Sequence, residues 1–183
     1  MVRGCLLAIL VLNAASAQTY DVLIRNAHIL DGAGNPWFSG DVAIQGDRIV
    51  AVGRLDPLSA ATVVDAAGLT LAPGFIDTHS HGIRGIQETP SAENQIRQGV
   101  TTIIEGPDGS SPIPLRPFLD KLGGGKIGVN FGMLAGHGSI RQKVMGSENR
   151  RATSDELERM KELTRQAMLD GAFGLSTGLF YVP

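Results

Sequence analysis

An α/β chain in two parts is predicted by three observations. Residues 18–73 hold only short apolar stretches broken by turn chemistry, which marks that part as all-β. From Gly74 onward the apolar period changes, and β-branched runs alternate with segments of helical period. Two histidines one residue apart, His79 and His81, close the first strand of this second part. Strand–helix alternation implies a parallel sheet with crossover helices. Four such units over residues 74–183 fit the amino-terminal half of a TIM barrel, whose chemistry gathers at the carboxyl ends of the strands.

In the first part, Val22-Leu23-Ile24 and Ala27-His28-Ile29-Leu30 read as strands ahead of the turn Asp31-Gly32-Ala33-Gly34-Asn35-Pro36. Residues 41–44 and 48–52 flank Gln45-Gly46-Asp47, a hairpin signal. Residues 62–65 and 69–71 add two more strands. His28, inside a strand, reads as a structural or surface residue.

In the second part, residues 75–81 read as a strand whose Phe75-Ile76 pair is buried, and 91–98 as a short helix closed by Gly99. The β-branched run 100–105 is a second strand. Leu115, Phe118, Leu119 and Leu122 share one helical face, stopped by Gly123. Residues 129–135 form a third strand. Thr153 with Glu156 matches a capping box, and Leu157, Met160, Leu163, Ala167 and Met168 give its helix an apolar stripe that ends at Gly171. Residues 173–179 form a fourth strand.

The net charge of −2 gives no basis for nucleic acid or an anionic membrane as partner. Residues 1–17 have a separate logic. Arg3, the apolar run 5–12 and Ala15-Ser16-Ala17 describe a secretory signal peptide cleaved after Ala17. The run is far short of the roughly 20 residues that span a bilayer. Cys5 would leave with the signal, so the mature chain would hold no cysteine. The expectation is secretion, or export to a bacterial periplasm.

Side chains alternate along a strand, so His79 and His81 point the same way, and two neutral imidazoles side by side can bind one divalent transition metal. His137 and Arg141 follow the third strand, at the end where barrel chemistry occurs. His137 either contacts substrate or orders the pocket, or else is a satisfied loop residue. Arg141 either grips a substrate carboxylate bidentately or forms a structural salt bridge.

Gly74-Phe75-Ile76-Asp77-Thr78-His79-Ser80-His81 closely resembles the first-strand metal motif of the amidohydrolase superfamily. Three further stretches sharpen the resemblance toward the N-acyl-D-amino-acid deacylases, or D-aminoacylases. They are residues 98–112, Gly136-His137-Gly138-Ser139-Ile140-Arg141 with Val144-Met145-Gly146, and 171–181. The resemblance covers nearly all of the chain after residue 17. It implies that residues 18–73 are part of a small β-sandwich completed by carboxyl-terminal residues in full-length members. It also implies zinc, as one or two divalent ions, and a small N-acyl amino acid as substrate.

One departure stands out. The family's second-strand segment carries a metal-binding cysteine in an Asn-Cys-Gly context, where this chain has Pro107-Asp108-Gly109. Asp108 can replace the thiolate as an anionic ligand, though a harder one. Glu105 is the competing carboxylate, and an Asp-Gly turn without a ligand role is the plain alternative. Residues 172–183 contain no lysine that could be carboxylated to bridge two metals, which argues against dihydroorotase-like and hydantoinase-like readings. Tyr181 matches a family tyrosine near the scissile group, where a phenol can donate to a developing oxyanion; otherwise it packs under a loop.

The resulting expectation is a secreted, zinc-dependent hydrolase of N-acyl-D-amino acids. The family's remaining metal-binding histidines on strands five and six, and its acid/base aspartate on strand eight, have no counterpart in these residues. The alternatives are a non-catalytic remnant or binding module, and another amidohydrolase such as a dipeptidase.

Overall fold

The structure is a computed structural model that describes residues 20–56 and 60–181. The signal-peptide reading falls on residues 1–17, outside the described residues. The chain divides into two compact units at Pro73/Gly74.

The first unit is one mixed sheet. Strand β1 (Tyr20–Ile29) pairs antiparallel with β2 (Phe38–Gln45), which pairs antiparallel with β3 (Arg48–Gly53). On its other side β1 pairs parallel with β4 (Ala60–Asp65) and then β5 (Thr70–Leu71). The two strands expected over 22–30 are therefore one, interrupted by a bulge between Ile24 and Ala27. Asn26 makes the bulge with φ +56°, donating its backbone N–H to Asp41 and its side-chain amide to Asp65, both at 3.0 Å. Ala27, Ile29 and Val42 form the core, while Ile49, Val52, Val63 and Val64 remain exposed.

The second unit is a four-stranded parallel sheet in sequential order: β6 (Phe75–Asp77), β7 (Val100–Glu105), β8 (Asn130–Gly136) and β9 (Gly174–Ser176). That order curls as a half-barrel does. Helices α1 (Glu93–Ile96), α2 (Arg116–Gly123), α3 (His137–Met145) and α4 (Ser154–Asp170) lie in the connections. One core packs Ile103 of β7 against Ile86, Ala92, Leu122 and Val129. The other packs Ala135 of β8 against Ile140, Met145, Met160 and Ala167. The capping box at α4 is present: Thr153 Oγ1 accepts the Glu156 N–H, and Glu156 Oε2 accepts the Thr153 N–H.

Three expectations are corrected. The first strand ends at Asp77, not His81, and Phe75 and Ile76 are each 64% exposed, since nothing among the described residues covers them on the faces of β6. The fourth strand spans only three of the seven residues expected. Helix α3 was absent from the sequence reading, because its opening His-Gly-Ser carries neither an apolar period nor a capping residue. Among the described residues no helix is long and apolar enough to cross a membrane.

Candidate metal centre

Asp77 ends β6 by turning the chain, its Oδ1 accepting the backbone N–H of His79 at 3.0 Å. Ser80 then returns to the sheet, donating its N–H to the Ile104 carbonyl at 3.1 Å, and is buried. Its neighbours His79 and His81 stay exposed, with ring centroids 5.4 Å apart. The imidazoles lie together although the strand stops before them.

Facing them, β7 runs into the turn Gly106-Pro107-Asp108-Gly109, in which Asp108 takes the left-handed φ of +59°. Aspartate tolerates that conformation better than most side chains do. Ser176, at the end of β9, secures the turn. Its Oγ accepts the Gly109 N–H at 3.1 Å and donates to the Gly106 carbonyl at 2.5 Å. The strand ends press on the same turn: a Cβ at Gly178 would lie 2.3 Å from the Asp108 carbonyl oxygen, and one at Gly136 2.5 Å from that of Gly109. Backbone meets backbone there, and only glycine permits it.

The result puts Asp108 Oδ2 3.4 Å from His79 Nε2 and 3.5 Å from His81 Nε2. One donor atom from each of the three residues lies within 4.8 Å of the others. Firm N–H···O bonds centre near 2.9–3.0 Å, so these spacings are long for hydrogen bonds. Metal–donor bonds of about 2.0–2.1 Å in a tetrahedron set neighbouring donors about 3.3 Å apart, which matches. Two imidazole nitrogens and a carboxylate suit zinc and its first-row neighbours better than magnesium or calcium.

Glu105 takes a different place. It is fully buried, its Oε1 accepts the Gly82 N–H at 2.7 Å, and it stands outside the three-residue group. Of the two carboxylates weighed as the anionic ligand, Asp108 is the one beside the histidines.

A cleft of about 640 Å³ opens over the turn, lined by His81, Glu105, Asp108, His137, Arg141 and Tyr181 among others. His137 is the first residue of α3 and half-buried. Among the described residues Arg141 makes no salt bridge; its terminal nitrogens donate to the Glu148 and Arg150 carbonyls at 2.7 and 3.0 Å and reach Met145 Sδ at 2.9 Å. It closes the loop after α3 while one side of it borders the cleft. Tyr181 is 58% exposed and packs edge-on against Phe180.

Asp77, Ser80 and Ser176 shape the centre but were not singled out in the sequence. The signal for Ser176 was there: a serine at the end of an apolar strand, where it has either a partner or a function.

Known proteins were compared with the chain. No protein-family model matches it. It is 34% identical to a D-aminoacylase of Alcaligenes xylosoxydans xylosoxydans over 195 aligned residues, covering 94% of this chain and 40% of that protein. With an N-acyl-D-aspartate deacylase of the same organism it shares 37% identity, covering 94% of this chain and 39% of that one. Among solved structures, an N-acyl-D-glutamate deacylase from Bordetella bronchiseptica, complexed with zinc and a phosphonate mimic of the tetrahedral intermediate, superposes with a TM-score of 0.83 at 30% identity. That match covers 90% of this chain and 40% of the other. The chain spans about 40% of the length of the curated relatives it matches.

Proposed function

We propose that this chain, which belongs to the D-aminoacylase family of the amidohydrolase superfamily, carries the amino-terminal part of the metal centre of a hydrolase that deacylates N-acyl-D-amino acids. The observation that carries this reading is the convergence of His79, His81 and Asp108 at donor spacing. His79 and His81 would each give a neutral Nε2 to zinc, and Asp108 Oδ2 its anionic donor. When bound, the ion supplies an activated water and polarises the amide carbonyl.

The chain's own residues do the rest of what this part can do. Tyr181, on the cleft wall, offers a phenol that donates a hydrogen bond to the carbonyl oxygen as it gains charge. His137, at the amino end of α3, lines the same cleft and orients the substrate there. Arg141 borders the pocket, its guanidinium held in place by two loop carbonyls, and contributes positive potential toward a carboxylate. An aspartate in place of a thiolate makes the site harder, so its preference for zinc over manganese or cobalt is weaker than a cysteine would give. Residues 1–17 would direct the protein out of the cytoplasm before it works.

Two measurements test this. The purified chain should bind one equivalent of zinc, removable by a chelator; absence of stoichiometric binding removes the reading. Co-produced with the carboxyl-terminal barrel portion of the D-aminoacylase it resembles, it should release free amino acid from N-acetyl-D-amino acids and not from their L-isomers. Hydrolysis that survives metal removal would point to a different chemistry.

A further inference from the structure

Glu105 is the one fully buried carboxylate among the described residues, and the two ends of its side chain do different things. Oε1 accepts the Gly82 N–H at 2.7 Å, the amide that immediately follows His81. Oε2 is buried with no hydrogen-bond partner, and the residue lines the cleft that also holds His81 and Asp108. Buried polar atoms are almost always partnered in folded proteins, so a buried carboxylate with one oxygen unpartnered demands a role.

The segment that Glu105 grips has little else to hold it. Between Asp77, where β6 ends, and the helical turn at Gly82–Arg84, the backbone is tied to β7 by the single Ser80 N–H bond to Ile104. His79 and His81 project from either side of that residue and are exposed. The Gly82 amide is the second tie: its N–H is shared between Glu105 Oε1 at 2.7 Å and Ser80 Oγ at 3.2 Å, and the shorter bond fixes the far side of His81 to β7.

We propose that Glu105 is the positioning residue of the metal centre: its grip on the Gly82 amide sets the His79–His81 limb. Both carboxylates leave the same strand end. Asp108 acts on the ion by contact, and Glu105 acts through the backbone that carries the imidazoles. This inference rests on the metal reading above.

The test is cobalt(II) titration of the purified chain, read by visible absorption, beside thermal unfolding without metal. Outer-shell groups of this kind change metal affinity by about tenfold to a hundredfold. Glu105→Leu should weaken cobalt binding by that much and alter the cobalt spectrum. Glu105→Gln, which keeps an acceptor for the Gly82 amide, should recover most of the affinity. If Glu105→Leu does not fold, Gly82→Ala reads the same link from the other side, since its Cβ would stand 3.0 Å from Oε1, which must give way by a few tenths of an ångström and so loosen its bond to the amide. Weaker cobalt binding with a normal melt then supports the proposal. Wild-type affinity and spectrum in a folded Glu105→Leu or Gly82→Ala chain overturn it. No cobalt binding by the wild type would instead defeat the metal reading itself.

Discussion

In the amino-terminal sheet, carboxylates are used up where they stand. Asp21 takes the Gly46 amide, Asp41 takes the amides of Asn26 and Leu55, and Asp65 takes the Ala67 amide and the Asn26 side chain. Neighbouring strands and turns bring amides beside these acids, from as far as 25 residues away in sequence, and each such N–H needs an acceptor. In the parallel sheet every connection crosses back through a helix. Its loops therefore open at one rim, and residues far apart in sequence, at positions 79, 81 and 108, meet side chain to side chain. The difference teaches where to look for chemistry. A carboxylate already satisfied by backbone amides is structural; one that faces two imidazoles is available.

The largest way to break that contrast is to remove an imidazole. His79→Ala or His81→Ala should each lower zinc affinity by more than about a hundredfold, beyond the usual range for groups outside the ligand set, with little change in unfolding temperature. Retention of zinc in either variant, measured by elemental analysis after dialysis, would show that the two do not share an ion.

Asp108 sharpens the contrast between available and satisfied acids. Asp108→Ala should cost more metal affinity than Asp41→Ala, which should instead lower stability alone. Asp108→Cys should restore binding and move the preference toward softer ions, read as the zinc-to-manganese affinity ratio. An unchanged ratio would mean that residue 108 does not touch the metal.

The smallest effect is expected in acid, where the satisfied carboxylates respond. Glu156 is held down to about 2 from an ordinary 4.5, first by its ion pair with Arg150 and then by the Thr153 amide. Asp65 is also held below its usual range, chiefly by the Asn26 side chain. A depressed carboxylate adds stability that is complete above its unfolded value and disappears as pH falls through the folded one. Unfolding temperature should thus fall between pH 4.5 and about 2, and Glu156→Gln should flatten that slope. An identical slope in the variant would assign the acid response elsewhere.

Much of this was readable from residues alone, for definite reasons. The capping box at Thr153, the hairpin at Gly46 and the β-branched run of β7 are local signals, and local signals survive folding. The pairing of the histidines was anticipated through strand alternation, yet it is delivered by an Asp77 turn and a buried Ser80. Alternation cannot say where a strand stops, because the competing hydrogen bond belongs to one side chain. The choice between Asp108 and Glu105 was open in sequence for a similar reason. Both sit near one strand end, and only the left-handed turn at 108 and the burial at 105 send them to different tasks. Exposure of Phe75 and Ile76 was illegible because apolarity records what a strand can bury, not what covers it.

The glycines around residue 108 carry one last implication. The turn bearing Asp108 is wedged against the main chain of Gly136 and Gly178 and bridged by the Ser176 hydroxyl, so its backbone is held from several sides. The tip of residue 108 is thus an interchangeable part on a rigid mount. On the metal reading proposed above, exchanging the donor at 108 would retune which ion is held without remaking the backbone around it.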